Sequence, residues 1–356
     1  MKALVLAGGT GSRLRPLSHS MPKQLVPVAN KPVLMHCLDR LSEAGIREVG
    51  IIISPERGAA IREAIGDGAA LGLDITYIMQ DAPLGLAHCV RLARPYLGDD
   101  DFVMYLGDNI LAGGVLALAD RFRARRPAAQ VVVTKVPDPR DYGVAEVDAA
   151  GRVTRLVEKP ATPVSDLALI GVYFFTPAIH EAVAAVQPSA RGELEITDAI
   201  QWLVSAGSPV TATEFTGYWK DTGRIDDLLE CNRVLLEATE RRLRGEIDEA
   251  SEVIGAVAVE PGARIIRSRI VGPAVIGKDS LVVDSYVGQY TSIGGSCVLV
   301  GAGIEHSIVL DHVSVRDVRG IHGSLIGRSA EVCVSIGDVA RNRLVIGDDT
   351  RVEVLS

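Results

Sequence analysis

The chain begins with KALVLAGGTGSR at residues 2–13, a short apolar run that leads directly into a glycine-rich loop. The apolar residues 2–7 predict a buried first strand. Glycines after such a strand let backbone N–H groups come close to a phosphate, because glycine has no side chain and adopts positive φ without strain. We therefore expect a strand followed by a phosphate-binding loop at Gly8, Gly9 and Gly11.

Two common phosphate loops do not match this stretch. A dinucleotide fingerprint beginning at Gly9 requires a third glycine at the position of Leu14, and no Gly-Lys-Ser/Thr follows for a Walker A loop. The loop is therefore of a third kind. Arg13, Arg15 and Lys23 follow it, and a guanidinium and an ammonium suit a polyphosphate. The alternative for these charges is a basic loop that faces solvent.

Length and composition set the class of protein. At 356 residues the chain suggests two or more domains, and its net charge of −8 argues against a nucleic-acid partner. Five scattered cysteines without a CxxC pair indicate reduced thiols and a cytoplasmic protein. We expect neither a signal peptide nor a membrane segment, because no leader or long apolar stretch is present.

Strands and helices alternate over the first hundred residues. Apolar strands at 49–54, 74–80 and 102–109 each follow a helical stretch, and the helical stretch before the third strand is 86–97. This alternation predicts a mostly parallel α/β sheet covered on both faces. In such sheets ligands lie at the carboxyl ends of the strands, where the glycine loop, Gln80 and Asp108 occur. A strand-rich region, two further helices and a long helix over 225–244 complete this part.

Beyond Ser251 aliphatic residues recur next to glycine, as far as Ile336-Gly337 and Ile346-Gly347. A six-residue aliphatic period predicts a left-handed hexapeptide β-helix, although the register slips several times and a plain β-rich domain is the alternative. The period is carried by Ile270, Ile276, Val282, Val287, Ile293 and Leu299. We therefore expect an α/β domain at 1–240, a linker or helix end at 241–250 and the β-helix at 251–356.

Two acidic residues stand at strand ends, Asp108 in YLGDN and Asp221 in YWKDTG. If they converge beside the phosphate loop they form a Mg²⁺ site, because magnesium takes a few carboxylates together with substrate phosphates. Alone, each is equally explained as a helix cap. Glu158 and Lys159 in VEKP suit sugar hydroxyls and an anion, and Arg191 suits a phosphate, with a surface ion pair and a solvated loop as the alternatives.

Other chemistries lack their motifs, since GxSxG, HExxH and paired cysteines are absent. His306 and His312 are six residues apart and could stack on one face of the β-helix, although they and His322 are better explained as surface residues.

Seven motifs in order resemble the sugar-1-phosphate nucleotidylyltransferases: LAGGTGSRLRP with PKQLVPV as the first, then QDAPLGLAH, LGDN, YGVAEVD, VEKP, ARGELEITD and WKDTG. The Rossmann-like nucleotidyltransferase domain with a hexapeptide tail is most similar to the long-form glucose-1-phosphate thymidylyltransferases of deoxysugar and antibiotic pathways. The resemblance implies transfer of a deoxythymidylyl group from dTTP to glucose 1-phosphate with Mg²⁺, giving dTDP-glucose and pyrophosphate. It also implies a homo-oligomer.

The resemblance assigns roles residue by residue. It places Arg13 and Lys23 on the reacting phosphates and Asp108 and Asp221 on the metal. The nucleotide would lie on Gly8, Gly9, Thr10, Gly11, Ser12 and Arg13, with Gln80 and Gly85 at the base. The sugar phosphate would lie along Asp108, Gly143, Glu158, Lys159, Gly171 and Arg191.

The chain departs from the family pattern at three positions. Ser12 replaces a threonine, and Leu84 and His88 replace an aspartate and a glutamine in the base loop. The last two changes bear on the choice of base, so that a uridylyltransferase is one competing hypothesis. A second is an additional acyltransferase activity in the β-helix with a histidine base, and a third is a regulatory subunit that binds sugar nucleotides.

Overall fold

The computed structural model describes residues 1–9, 11–335, 345–348 and 351–355. These described residues divide into two compact units, one of 1–9 and 34–221, the other within 10–33 and 222–356. The segment 11–33 therefore packs with the C-terminal part of the chain, whereas residues 1–9 belong to the first unit. The predicted domain boundaries at 240 and 251 stay a prediction.

The strands and helices of the first 237 residues follow the alternation that the sequence predicts. The strands are β1 (Lys2–Leu6), β2 (Pro27–Val28), β3 (Lys31–Pro32), β4 (Glu48–Ile53), β5 (Asp74–Met79), β6 (Phe102–Leu106), β7 (Asn109–Leu111), β8 (Ala129–Lys135), β9 (Gly143–Val147), β10 (Val153–Glu158), β11 (Leu167–Phe175), β12 (Val210–Glu214) and β13 (Trp219–Asp221). The helices are α1 (Val33–Glu43), α2 (Gly58–Ile65), α3 (Leu86–Leu92), α4 (Arg94–Leu97), α5 (Leu116–Arg125), α6 (Ala178–Ala185), α7 (Ile196–Ser205) and α8 (Ile225–Glu237). Short 3-10 helices cover Ser12–Leu14, Leu17–His19, Lys23–Leu25 and Ala69–Leu71.

The first unit is built on one mixed sheet, of nine strands in the part of the chain that the structure describes. Its strands run β10-β9-β11-β6-β1-β4-β5, with β8 paired to β11 and β12 paired to β8. The strands β6, β1, β4 and β5 are parallel, and β11 joins them antiparallel to β6. Ala3, Leu4 and Val5 in the central strand are completely buried, because a sheet covered on both faces buries consecutive residues.

Several elements differ from their predicted bounds. The helix predicted over 86–97 is divided into α3 and α4 around Ala93, where Pro95 lies in the first turn of α4 and cannot donate a backbone hydrogen bond. The strand predicted to reach Asn109 ends at Leu106, and β7 then pairs with β13 in a separate antiparallel ladder. The amphipathic α5 lies where no element is predicted.

The helix predicted over 225–244 is too long, since α8 ends at Glu237. The reason is tertiary: Arg242 and Leu243 pair as a parallel strand with Ala258 and Val259. The first strand of the solenoid therefore begins inside the segment predicted as a linker.

The C-terminal part consists of short parallel strands. They are β14 (Arg242–Leu243), β15 (Glu246–Ile247), β16 (Glu252–Ile254), β17 (Val257–Val259), β18 (Arg264–Ile266), β19 (Arg269–Val271), β20 (Ala274–Ile276), β21 (Leu281–Val283), β22 (Tyr286–Val287), β23 (Thr291–Ile293), β24 (Val298–Val300), β25 (Gly303–Glu305), β26 (Ile308–Val309), β27 (Ser314–Arg316), β28 (Ile321–His322), β29 (Leu325–Ile326), β30 (Glu331–Ser335), β31 (Val345–Ile346) and β32 (Arg351–Leu355).

In the described residues these strands stack into three parallel sheets, consistent with a left-handed β-helix. One sheet runs β14-β17-β20-β23-β26-β29-β31, the second β15-β18-β21-β24-β27-β30-β32 and the third β16-β19-β22-β25-β28. The six aliphatic residues that carry the predicted period are all completely buried and belong to one apolar cluster of the solenoid, as the period predicts. Ile336-Gly337 of the predicted repeat lies outside the described residues.

The length of one coil explains why the six-residue register slips. Ala274 pairs with Thr291 on the next coil, and Cys297 N donates a hydrogen bond to Oγ of Ser280, 17 residues earlier. Three hexapeptides would need one residue more per turn. Coils of 17 and 16 residues therefore shift the hexapeptide pattern by one and two positions while the strands stay aligned.

The structure bears on the predicted free thiols and on membrane-spanning helices. The cysteines are free, as the scattered spacing predicts, and Cys37, Cys89, Cys231 and Cys297 are buried. Among the described residues the structure contains no helix that is long and apolar enough to cross a membrane.

Candidate active site

The first glycine of the loop lies against Gln80. A Cβ added to Gly8 would lie only 2.9 Å from Gln80 Oε1, so the absence of a side chain there leaves room for the amide. The backbone N–H of Gln80 donates to Ile53 O at 2.9 Å and its side chain is buried. The ends of β1 and β5 thus bring together two residues that the family resemblance assigns to the nucleotide. Gly9 follows as an exposed residue.

His88 gives Gln80 a further partner. Gln80 Nε2 lies 3.3 Å from His88 Nδ1. Burial and the nearby Arg91 lower the pKa of His88, which favours the neutral ring, whose Nδ1 can accept from the amide. This arrangement turns Gln80 Oε1 toward Gly8. In the sequence His88 stands out only as a departure from the family pattern, and the structure shows what it contacts.

The loop that carries Gly85 is tied to the segment after Arg191. Gly85 has φ 100°, and a Cβ there would lie 2.5 Å from Leu194 O. Leu194 N donates to Leu84 O at 2.8 Å, and Ala87 N donates to Leu194 O at 3.0 Å. Glycine is required at this position both by its backbone angle and by the close approach of another chain segment.

The two acidic residues are neighbours in space. Asp221 ends β13 and is the Cα partner of Asn109, the residue after Asp108. Directly opposite residues in an antiparallel pair lie about 4.5–5.5 Å apart between Cα atoms. Trp219 Nε1 donates to Asn109 Oδ1 at 2.7 Å, and Asn109 Nδ2 donates to Asp108 Oδ1 at 3.1 Å. The antiparallel ladder thus brings the two strand ends together.

The donor set at this point suits magnesium. Asp108 and Asp221 offer carboxylate oxygens, and no group of three or more His, Cys, Asp or Glu able to hold a metal occurs in the part of the chain that the structure describes. A pair of carboxylates without a protein cage fits Mg²⁺, which usually completes its coordination with waters and substrate phosphates. The residues therefore fit the ion that the sequence predicts.

A second cluster surrounds Glu158. Thr197 Oγ1 donates to Glu158 Oε2 at 3.2 Å, and Arg191 Nη1 lies 3.4 Å from Oε1. A Cβ on Gly143, the Cα partner of Glu158, would lie 2.8 Å from Thr197 Cγ2 and 3.2 Å from Glu158 Oε2. Burial, and next the charge of Glu195, raise the pKa of Glu158. The carboxylate is therefore held in a partly desolvated position above Gly143.

The basic residues near Glu158 are already paired. Lys159 has φ 40° and its Nζ lies 3.9 Å from Glu158 Oε1. Arg191 forms ion pairs with Glu158, Glu193 and Glu195 at 3.4, 3.3 and 3.4 Å. A phosphate bound by Arg191 would compete with these three carboxylates for the guanidinium. Its predicted role stays a prediction.

Gly171 lies in a bulge of β11. It has φ 75°, and the register of β11 against β8 shifts between Leu169 and Tyr173. A Cβ there would lie 2.8 Å from Cδ1 of Leu106, the last residue of β6. The bulge therefore lies next to the strand end that precedes Asp108.

The remaining site residues belong to the second unit. Gly11 has φ 65°, and a Cβ there would lie 3.0 Å from Lys23 Cβ, so the stem of Lys23 lies along Gly11. Ser18 Oγ donates to Gly11 O at 2.7 Å. Ser12 and the exposed Arg13 lie in the 3-10 helix that follows. Thr10 lies outside the described residues.

The histidines of the solenoid do not stack as the sequence predicts. His306 contacts Tyr290 and His322, with ring centroids 4.9 and 5.0 Å apart, rather than His312. The reason is that six residues do not complete a coil: His322 is the strand partner of Glu305 on the next coil, 17 positions on, which brings its ring beside His306. The structure therefore corrects the expected pairing of His306 with His312.

Comparison with known proteins relates the whole chain to one group of enzymes. The family described as Nucleotidyl transferase matches residues 2–238. A glucose-1-phosphate thymidylyltransferase of Streptomyces griseus is 54% identical and one of Streptomyces antibioticus 55% identical, each over 100% of both chains. A crystal structure from Bacillus anthracis, assigned as a glucose-1-phosphate thymidylyltransferase, is 34% identical with a TM-score of 0.62 and covers 66% of this chain and 94% of that one.

Proposed function

This chain belongs to the nucleotidyl transferase family, and on that premise we propose that it transfers a deoxythymidylyl group from dTTP to α-D-glucose 1-phosphate. The products are dTDP-glucose and pyrophosphate. The observation that carries the proposal is the full-length similarity to two enzymes of that name, together with the paired strand ends that bear Asp108 and Asp221.

The reaction needs no covalent enzyme intermediate. A phosphate oxygen of glucose 1-phosphate attacks the α-phosphorus of dTTP in line, forming one P–O bond while the bond to pyrophosphate breaks. The attacking group is already an anion, so no general base is needed. Catalysis then consists of positioning and charge neutralisation, which are the main contributions in phosphoryl transfer.

Arg13 and Lys23 are the residues we assign to the departing pyrophosphate. Both are cations in a glycine-rich basic segment of an otherwise acidic chain. A guanidinium can bind two phosphate oxygens at once, and an ammonium acts as a point charge. Their positive charge stabilises the negative charge that develops on the leaving group. Gly8, Gly9, Thr10, Gly11 and Ser12 supply the backbone that accepts the triphosphate.

Asp108 and Asp221 would hold Mg²⁺. When bound, the ion neutralises phosphate charge and so lowers the cost of bringing two anions together. The family as a whole generally uses a divalent metal, and the choice of magnesium rests on the two carboxylates described above. Asn109, which Trp219 holds by its side chain, fixes the carboxylate of Asp108.

The sugar side of the proposal uses the Glu158 cluster. An ionised carboxylate accepts hydrogen bonds from sugar hydroxyls, and the side chain is held by Thr197. Gly143 and Gly171 leave space beside it, and Lys159 and Arg191 supply positive charge for the sugar phosphate. Lys159 is the cation with the weaker ion pair, 3.9 Å from Glu158, so it is the easier one to reorient toward a ligand.

Fewer residues support the identity of the base than that of the sugar phosphate, and Gln80 is the main one. Its amide offers one donor and one acceptor, which match one edge of thymine and equally of uracil. The two bases differ by a methyl group, a contact worth about 10- to 200-fold in selectivity. UTP is therefore the alternative donor, and Leu84, which exposes 43% of its surface in the base loop, is the residue we expect to contact the methyl group.

Pyrophosphate release with Mg²⁺ tests the proposal directly. The assay combines dTTP, UTP, ATP and GTP with glucose 1-phosphate, galactose 1-phosphate and glucosamine 1-phosphate. We expect the pair of dTTP and glucose 1-phosphate to exceed the others. A higher rate with another pair would overturn the assignment of substrates, and no release with any pair would overturn the proposed reaction.

Three further properties rest on the sequence alone. We propose a cytoplasmic enzyme, a homo-oligomer and a place at the first step of a deoxysugar pathway. The free cysteines suit a reducing compartment. Sedimentation measurements on the purified chain test the oligomer.

A further inference from the structure

One face of the solenoid is buried on its outer as well as its inner side. Every residue of β17, β20, β23, β26 and β29 is buried. In the second sheet, by contrast, β18, β21, β24 and β27 bury only their central residue. Because alternate residues of a strand point to opposite faces, burial of consecutive residues means that the first sheet is covered from outside.

Within the second unit, part of this cover is the hairpin of β2 and β3. Its two tip residues, Ala29 and Asn30, have φ of 51° and 59°. Asn30 Nδ2 donates to Ile293 O on the solenoid at 2.6 Å. Ala29 packs into a small apolar cluster with Leu236 of α8 and with Ala258 and Val275 of the solenoid.

Asn232 of α8 connects this hairpin to the same coil. Its Oδ1 accepts from Ala29 N at 2.9 Å and from Ser292 Oγ at 2.6 Å, and its Nδ2 donates to Tyr290 O at 2.9 Å. The side chain is 1% exposed. Its three hydrogen bonds, made in a buried position, fix the hairpin tip to the coil of residues 290–293.

A second attachment lies farther along the same sheet. Ser20 Oγ donates to Asp348 Oδ2 at 2.6 Å, while Asp348 Oδ1 accepts from Arg328 N at 2.7 Å. Pro16 lies against the neighbouring Gly347, where an added Cβ would be 3.2 Å from Pro16 Cβ. Asp348 therefore links a coil corner to the N-terminal segment.

The two attachments are separated by three steps of one sheet. Ile293 pairs with Val309 on the next coil, Val309 pairs with Ile326, and Ile326 pairs with Ile346. Since neighbouring strands lie about 4.8 Å apart, the attachments are about 14 Å apart along the solenoid. Lys23 lies between them in sequence, and Arg13 lies three residues before Pro16.

We propose that the β-helix positions the basic segment 11–25, and that Ser20, Asn30, Asn232 and Asp348 are positioning residues for nucleotidyl transfer. The inference rests on the proposed roles of Arg13 and Lys23. It gives the solenoid a part in the reaction that does not require a second active site. The part of the segment that carries Lys23 is held on both sides, by Ser20 and by the hairpin tip, and Arg13 lies three residues before the contact of Pro16 with Gly347.

Ser20→Ala in the full chain tests one attachment. We expect kcat to fall about tenfold with little change in KM or in the thermal midpoint, because misplacing a charge that acts on the leaving group costs mainly transition-state stabilisation. Ser20→Thr keeps the hydroxyl and should restore the rate. Asn30→Gly tests the other attachment, since glycine keeps the positive φ and removes only the amide that reaches Ile293.

Asp311→Ala is the matched control. Asp311 accepts from Gly295 N at 2.7 Å at the corresponding corner of an earlier coil, as Asp348 does from Arg328 N. We expect Asp311→Ala to keep the wild-type kcat. In addition, Ser20→Ala combined with Asp348→Ala should lose no more activity than the larger single effect, because both remove the same hydrogen bond.

The two proposals fail in different ways. An inactive wild-type chain would overturn the proposed function. An active wild type whose Ser20→Ala and Asn30→Gly variants keep kcat would overturn the inference alone. Equal loss in Asp311→Ala and Ser20→Ala would also overturn it, because the loss would then come from the coil as a whole. Hydrogen exchange should show faster exchange confined to 11–25 in Ser20→Ala, and unchanged exchange there counts against the inference.

Discussion

Asp221 lies directly opposite Asn109 in the ladder of β7 and β13, so its carboxylate lies beside the residue that follows Asp108. Two strand ends that are more than a hundred residues apart in the sequence thereby share one location. This relationship, with the hydrogen bond from Asn109 to Asp108, is the structural basis for assigning a metal to the pair.

Replacing Asp108 or Asp221 should weaken metal binding without unfolding the protein. We expect Asp221→Asn and Asp108→Asn to lower turnover at least about a hundredfold, since each removes a carboxylate that would hold the ion that neutralises the reacting phosphates. Mn²⁺ binding followed by electron paramagnetic resonance should weaken in parallel, while the thermal midpoint changes little. Asp120→Asn, an exposed acid on α5, is the control and should behave as wild type.

Gly8→Ala should act on the nucleotide through Gln80. The added Cβ would lie 2.9 Å from Oε1, so the flexible amide must move while the backbone stays in place. We expect KM for dTTP to rise about tenfold, the cost of one hydrogen bond to the base. Steady-state kinetics measure this, and Gly8→Ala in a Gln80→Ala background should then add little, because the displaced group is already gone. Additive losses would contradict this interpretation.

Glu158→Gln should stabilise the protein and weaken sugar binding. The pKa of Glu158 is raised, chiefly by burial and then by Glu195, so the folded state binds its proton more tightly than the unfolded state. Stability from this group is therefore full below its usual pKa of 4.5 and is lost as pH rises through the raised folded value. At pH 7.5 the variant should melt higher than wild type, and near pH 4 the difference should vanish.

The same variant should raise KM for glucose 1-phosphate, because a neutral amide accepts sugar hydroxyls less strongly than a carboxylate. Glu146→Gln on the neighbouring strand is the control and should change neither quantity. A variant that melts lower at pH 7.5 would show that the ion pairs of Glu158 outweigh its desolvation.

Leu84→Ala should change the choice of base. If the exposed Leu84 side chain contacts the thymine methyl group, its loss should lower kcat/KM for dTTP by about 3- to 10-fold and leave that for UTP unchanged. The measurement is the ratio of the two specificity constants. Leu116→Ala, with a side chain of similar exposure on α5, is the control. An equal loss of kcat/KM with both nucleotides would contradict the proposed contact between Leu84 and the methyl group.

Much of the fold was predictable because its signals are local. An apolar run such as Leu4–Leu6 indicates a buried strand wherever it lies, and a glycine with a required positive φ, such as Gly85, marks a loop. The inward residues Ile270, Ile276 and Val282 repeat within one coil, so their period is visible without knowledge of the contacts. By contrast, the end of α8 at Glu237 depends on a strand partner at Ala258.

The residue types of the candidate site and their positions at strand ends were predictable, but the contacts between these residues were only partly so. The positions of Gln80 and Asp108 at strand ends follow from the order of strands and helices. The partners that hold them do not, since His88, Asn109 and Trp219 have no motif of their own. The ion pairs of Arg191 with three glutamates likewise depend on side-chain positions that spacing cannot supply.

The amino-acid sequence alone determined the α/β sheet, the glycine-rich basic segment and the aliphatic repeat of the solenoid, because hydrophobic period and glycine content act over a few residues. Only the tertiary structure decided that the ring of His306 contacts that of His322 and that Ser20 donates a hydrogen bond to Asp348, 328 positions away. Contacts of such separation depend on how many residues each coil contains and on which faces are left to be covered. Those quantities come from the packing of the whole chain.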